Sequence, residues 1–402
     1  MSKLIFSVLL LVVSLNIKAQ KDFIQLISKM DAEAQYELND GSTIQLMGYT
    51  ERLSTPLTLP SPTIRVMEGD SVELELWNMS QAAPHTIHLH GLDVNQYNDG
   101  VPSLSWVVEH SEKRSYNFLA PHPGTYLYHC HVVSPIHVQA GMYGLFIVES
   151  KEKGKTWTDG YSYEREVEWL TSELDIDWHS DSMILDSYEE EAHKNKILDY
   201  DPSYFLLNGS EVSLDSSNSI PVYSDMKTYL RLANIGNYVN KITFPEQVSV
   251  EVISSDGRPF DEKEISNEIW VFPGERFGVL LTANDIVFEN IQIDYLDMNS
   301  LQAKGTLEQK LIYDQAMSIN EALSLNSIDL YPNPVSEKLV IRSLSASKGE
   351  YSIIDIQGKV IQIGELGKGL NEINLEDVQD GIHFVEIRMG QTNYRHKIIK
   401  QK

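Results

Sequence analysis

Six of the 12 histidines fall into two short clusters, His85-Thr-Ile-His88-Leu-His90 and His129-Cys130-His131 with His137 after it, and Met142 follows five residues later. Cys130 is the only cysteine in 402 residues, so no disulfide can form within the chain. An exposed free thiol is a liability in an oxidising compartment, and two flanking imidazoles make metal ligation the leading explanation for keeping one. Thiolate with imidazole suits copper, zinc or iron.

Backbone geometry sorts these side chains further. Successive residues of a strand point to opposite faces. His88 and His90 therefore share one face and His85 takes the other. His129 and His131 share a face, and Cys130 opposes them. Two adjacent strands carrying these residues present an inward group of His85 and Cys130, joined by His137 and Met142 from the following loop. Two imidazoles, a thiolate and a long axial thioether form the ligand set of a blue-copper electron-transfer site. An apolar wall around it excludes water and helps set the potential. The outward group is His88, His90, His129 and His131, two His-x-His pairs able to hold further copper. Peptide bonds through His129-Cys130-His131 wire the two groups together.

The elements that must position these residues are strands. Thr63-Ile-Arg-Val-Met and Ser71-Val-Glu-Leu-Glu-Leu-Trp alternate apolar and polar residues around a Glu68-Gly-Asp70 turn. Tyr126-Leu-Tyr-His and Leu145-Phe-Ile-Val-Glu extend the pattern, and no long capped helix interrupts the first 150 residues. The expectation is an all-β chain of sandwiches or barrels. The polar stretch Glu149 to Asp159 marks a boundary. A second β segment runs from Tyr161 to Asp297, interrupted by an acidic, irregular excursion from Ser180 to Lys196. Asn299 to Asn326 lacks a strand pattern and reads as a linker. A third set of short strands begins at Ile328-Asp-Leu-Tyr-Pro-Asn-Pro and ends at Lys397-Ile-Ile-Lys.

The first 19 residues, with Lys3 ahead of the apolar run Leu4–Leu15 and Ala19 as a cleavage residue, have the form of a signal peptide. That run is too short to span a bilayer. The mature protein is expected to be soluble and outside the cytoplasm. Formal net charge is −26, with 58 acidic against 32 basic residues, and the segment from Ser327 onward is balanced, so the acidity lies upstream. Such a surface repels nucleic acid and anionic membrane. The closing segment resembles the C-terminal sorting domain of the type IX secretion system. That resemblance implies transfer to the cell surface or beyond by that machinery and no catalytic role for the segment.

Residues 60–150 resemble a cupredoxin domain of a multicopper oxidase: Pro60-Ser-Pro-Thr-Ile-Arg-Val-Met-Glu-Gly-Asp matches its opening strand and turn, and the HxxHxH and HCH motifs match its copper signature. The resemblance implies type 1 copper at His85, Cys130, His137 and Met142, type 2 copper at His88, and type 3 copper at His90, His129 and His131. It implies two cupredoxin-like Greek-key β-barrels, residues 20–150 with copper and 151–310 without, then a linker at 311–326 and the sorting domain at 327–402. Two departures matter. Five residues, Val132 to Ile136, separate His131 from His137, where the family has three. This longer loop resembles that of copper nitrite reductases, which lack the second histidine of HCH and have an acidic residue in place of His88. The type 1 ligands also lie in the first domain, as in two-domain members, which assemble as trimers.

The family's trinuclear cluster takes eight histidines, and the first domain supplies four. Leu207-Asn-Gly, Arg231-Leu-Ala-Asn and Pro273-Gly-Glu-Arg resemble landmarks of the same family, and the second segment looks most like its middle, copper-free domain. It holds only His179 and His193, neither in a pair, and reads Tyr-Val-Asn-Lys-Ile-Thr-Phe after Asn237. His110, His122, His383 and His396 are isolated and read as surface residues. Two functions remain open. One is a secreted oxidoreductase that takes single electrons from a metal ion, small molecule or redox protein through the edge of His137, and passes them by Cys130 to oxygen at the outward histidines. The other is a blue-copper electron-transfer or copper-binding protein without turnover. A surface adhesin using the sandwich alone would leave the ligands accidental.

Overall fold

The computed structural model describes residues 21–401 except 82, 180–198, 286, 288, 314–327, 332–334, 344–348, 356–358, 368, 377 and 390–391. The chain divides into two compact units, Met1–Asp314 and Gln315–Lys402. The expected signal peptide, most of the expected linker and the acidic excursion after Ser180 lie outside the described residues.

Two β-sandwiches make up the first unit. The first contains β1 (Lys21–Glu37), β2 (Thr43–Thr50), β3 (Ile64–Met67), β4 (Ser71–Asn78), β5 (His88–His90), β6 (Lys113–Leu119), β7 (Gly124–His129), the short helix α1 (Ser134–Gln139) and β8 (Tyr143–Glu149). One sheet runs in the order β2-β1-β4-β6 and the other β3-β8-β7-β5. In β4 the alternation read from sequence is realised: Val72, Leu74 and Leu76 are fully buried, and Glu73, Glu75 and Trp77 are only half-buried on the other face. The core between the sheets also contains Ile87, Leu89, Tyr116, Phe146, Cys130 and Met142. Each large apolar side chain taken out of water there contributes about 1.5–3 kcal/mol.

β7 is buried at every position, and β8 at all but its last. A second sandwich explains this, because it covers their outer face. Leu127, Tyr143, Leu145 and Ile147 pack against Leu170, Leu174, Leu206 and Ala233 in one apolar cluster. Covered on both sides, such strands become continuous apolar runs. The Tyr143 hydroxyl donates to Ser172 Oγ at 2.9 Å across the same contact.

The second sandwich comprises β9 (Arg165–Leu174), β10 (Tyr204–Leu207), β11 (Ile220–Val222), β12 (Thr228–Asn234), β13 (Val239–Thr243), β14 (Val248–Ser255), β15 (Arg258–Ile265), β16 (Glu268–Val271), β17 (Arg276–Ala283), β18 (Asn290–Leu296) and β19 (Ala303–Tyr313). Its sheets run β10-β9-β12-β17-β14-β15 and β11-β19-β18-β13-β16. β19 corrects the expectation that Asn299 to Asn326 lacks a strand, and it carries the second sandwich to Tyr313, past the expected linker start at 311. Its inward positions are Leu307, Gln309 and Leu311, all buried. The polar Gln309 at the centre breaks the apolar alternation that would have announced a strand.

The second unit is itself a small sandwich, built from β20 (Ile328–Tyr331), β21 (Lys338–Ser343), β22 (Gly349–Asp355), β23 (Val360–Leu366), β24 (Gly369–Asn374), β25 (Gly381–Met389) and β26 (Thr392–Lys400). Its sheets run β20-β21-β24 and β23-β22-β25-β26 around a core that includes Leu339, Ile341, Ile353, Val385 and Ile398. The chain is all-β, as expected from its sequence. Among the described residues no helix is long and apolar enough to cross a membrane.

Candidate metal centre

β5 pairs with β7 antiparallel, setting His88 directly opposite His129 and Leu89 opposite Tyr128. Cys130 leaves the end of β7, and its amide donates to Met142 O at 3.0 Å. His85 lies ahead of β5, held by a two-way bridge to Val108 with N–H···O distances of 3.0 and 2.9 Å. The segment between the two groups, Thr86-Ile87, is pinned by side chains: Tyr49 Oη donates to Thr86 O at 2.5 Å, Tyr116 Oη accepts the Ile87 amide at 2.8 Å, and Thr86 Oγ1 accepts the His131 amide at 3.0 Å.

The inward group is assembled. Cys130 Sγ lies 3.2 Å from His137 Nδ1 and 3.7 Å from His85 Nδ1, and all three residues are fully buried. Met142 is equally buried in the core that contains Cys130, and its amide donates to His137 O at 2.9 Å. Burial pushes the Cys130 thiol up and holds His85 well below the usual histidine range, with the neighbouring His137 adding to the second effect. Without metal the group therefore sets a neutral thiol beside the neutral imidazole of His85, and a soft cation fits it by displacing the thiol proton. The last three residues of the five-residue spacing, with His137, fold into α1, entered through Val133 at φ +44°. A β-branched residue in the left-handed region is a strained placement.

The outward group is also brought together, with one residue set apart. Donor atoms of His88, His90 and His129 lie within 4.8 Å of one another. His131 stands beside them, its ring centroid 5.2 Å from that of His88 and 6.0 Å from that of His129. Hydrogen bonds decide which nitrogens face inward. His88 Nδ1 is 2.7 Å from Asp99 O, and His129 Nδ1 is 2.9 Å from Cys130 O. Each Nδ1 then carries the proton and leaves Nε2 for a metal. His90 Nδ1 faces His129 Nε2 at 3.3 Å. Burial lowers His90 to about 3, with Arg276 next in effect, and lowers His129 to about 4.

Sequence reasoning missed what surrounds these groups. The second sandwich brings Gly274 against His90, where a Cβ would stand 3.0 Å from Cε1, and brings Arg276 against Gly91. Asp99, which gave no sequence signal, meets His88 Nδ1 with its carbonyl at 2.7 Å and its carboxylate at 3.5 Å. His137 corrects one expectation. It is fully buried, so no donor touches its edge directly; Trp178 and Tyr200 of the second sandwich pack on the flank of α1 at Ile136 and Val133. Of the remaining histidines, His179 is bonded to Gln45 O, His110 to Ser80 O and His383 to Gln379 O, while His122 pairs with Asp93. His383 is buried rather than on the surface, its Nε2 held by that carbonyl. His193 lies outside the described residues.

Comparison with known proteins agrees with this geometry. The multicopper oxidase model matches residues 38–153, the span that contains both histidine groups. These residues form a multicopper oxidase domain. The model of a secretion system C-terminal sorting domain matches residues 329–401, and the last sandwich is such a domain. The chain is 28% identical over 291 residues to the iron transport multicopper oxidase of Candida glabrata, covering 68% of this chain and 42% of that protein. It is 28% identical over 267 residues to L-ascorbate oxidase of Cucurbita pepo var. melopepo, covering 58% and 44%. The chain thus spans less than half the length of these curated relatives. Its fold is similar to the blue copper oxidase of Nitrosomonas europaea, with TM-score 0.55, 23% identity, and coverage of 73% of this chain and 86% of that one. It is also similar to the copper nitrite reductase of the same organism, with TM-score 0.53, 18% identity, and coverage of 73% and 94%. Copper is the cofactor of this family, and a buried thiol with two converging imidazole nitrogens suits it.

Proposed function

We propose that this chain is an exported copper-dependent oxidoreductase that oxidises a donor one electron at a time and delivers the electrons to oxygen at its outward histidines. The observation that carries this reading is Cys130 itself. Its sulfur closes a buried set with His85 and His137, and its peptide neighbours His129 and His131 belong to the other group. Bound copper would supply the one-electron chemistry. His85, Cys130, His137 and Met142 would hold a type 1 ion, His88 a type 2 ion, and His90, His129 and His131 type 3 ions.

The chain's own part is to position and connect. The His129 Nδ1–Cys130 O hydrogen bond adds a short non-covalent link between groups already joined by peptide bonds. The surrounding core keeps water from the sulfur. The acidic surface favours a cationic donor, a metal ion or a basic redox protein. The sorting domain supports export by type IX machinery, and the first-domain placement of the ligands supports a homotrimer.

A second reading has its own observation. Gly274 abuts His90, Arg276 abuts the neighbouring Gly91, and among the described residues no histidine of the second sandwich joins the outward group. A blue-copper protein without oxygen reduction needs only the Cys130 set. Copper per chain and oxygen uptake with a phenolic donor separate the two. Three or four coppers with oxygen consumption support the oxidoreductase; one copper with an intense blue band and no uptake supports the second reading. Cys130→Ser is expected to abolish the blue band and lower the copper count by about one per chain. An unchanged absorption and paramagnetic signature would sink both.

A further inference from the structure

Helix α1 carries His137, and Met142 follows its end closely. The loop ties these ligands to one another: the Cys130 amide donates to Met142 O, the Met142 amide to His137 O, and the His137 amide to Val133 O at 3.2 Å. A tilt of α1 would therefore move His137 and Met142 together. The strained entry at Val133 gives the loop a reason to move unless something outside holds it.

Gln139, at the end of α1, is that outside hold. It is 3% exposed. Its side-chain amide reaches out of the first sandwich into the second: Nε2 donates to Glu173 O at 2.9 Å and to Tyr200 Oη at 2.8 Å, and Oε1 accepts the Asp175 amide at 3.1 Å. The chain of donors has one direction. Tyr200 Oη in turn donates to Glu173 Oε1 at 2.7 Å, and that oxygen also accepts from the amides of Asn237 at 2.5 Å and Tyr238 at 3.2 Å. The turn that delivers those amides comes so close that a Cβ at Gly236 would stand 2.0 Å from Glu173 Oε2. Every partner of the Gln139 amide is thus fixed to the β9 end of the second sandwich. Trp178 completes the contact by packing on Ile136.

We infer that Gln139 is a positioning residue, and that the second sandwich serves through it as the rigid wall that fixes the Cys130–Met142 ligand loop. This gives a task to a domain that brings no histidine to either group among the described residues. The inference rests on the reading that the Cys130 set holds copper.

The test uses the full-length protein loaded with copper(II), with three variants. Gln139→Met keeps the volume and removes the bonds; it is expected to release copper to a chelator about tenfold faster than wild type and to shift the blue band and the copper hyperfine splitting. Tyr200→Phe is expected to move the same readouts in the same direction by less. Tyr36→Phe is the control. It removes a 2.6 Å hydrogen bond to Gly209 O at the same contact between sandwiches but not at the loop, and should lower thermal stability without touching band or release rate. Wild-type spectra and release rates in both Gln139→Met and Tyr200→Phe overturn the inference, as does an equal shift in Tyr36→Phe. Should Gln139→Met not fold, the contrast between Tyr200→Phe and Tyr36→Phe decides alone. Wild-type protein that takes up no copper at Cys130 fails the underlying reading first, before any variant is compared.

Discussion

At the scale of single residues, the outward group depends on a carbonyl. His88 is aimed by Asp99 O, and the next residue, Gly100, adopts φ +77° with its ideal Cβ position 1.9 Å from Ile87 O. No side chain fits there. Gly100→Ala is expected to cost about 3 kcal/mol in urea unfolding, from strain plus displaced backbone. It should weaken copper uptake by the outward histidines at least tenfold in equilibrium dialysis. The two histidine groups were legible in the sequence because period-two alternation is a property of any strand, and the ligand-bearing segments, apart from helix α1 with His137, are strands or their direct continuations. Asp99, Gly100 and Gln139 were not. The first acts on a histidine 11 residues away, chiefly through its carbonyl, the second through the absence of a side chain, and the third through partners about 35 to 60 residues away that only the fold brings near.

Among the elements, β9 carries the most unusual group. Glu173 is fully enclosed, and burial raises its carboxyl to about 7, while bonds from Tyr200, Asn237 and Tyr238 oppose the rise. In the unfolded chain the same group titrates near 4.5. The folded state therefore keeps a proton that the unfolded state loses first. This contribution to stability is whole below pH 4.5 and is lost as pH climbs through 7. Glu173→Gln removes the titration. The stability difference between wild type and Glu173→Gln should fall across that window when urea midpoints are compared from pH 4 to 8, and a constant difference would refute the assignment. Strand legibility followed burial. β4, with one face in the core, announced itself by alternation. β19 hid behind Gln309, and α1 behind its brevity, since a six-residue turn with a proline near its start has no room for a periodic pattern.

At the scale of the molecule, the two compact units divide the work. The sorting domain has its own core, so a chain ending at Asp314 is expected to retain the blue band and its thermal transition while losing delivery to the cell surface, as fractionation would show. Each sandwich carries its own landmarks in the sequence. Their mutual contact was not, because Leu127 and Leu145 look the same in sequence whether they face a core or a neighbouring domain. One further consequence comes from Cys130 being both the chain's sole thiol and wholly enclosed. A maleimide added to metal-free protein has a single place to react, and reaches it only when the structure there breathes. The rate of alkylation then clocks that breathing directly, with no engineered label.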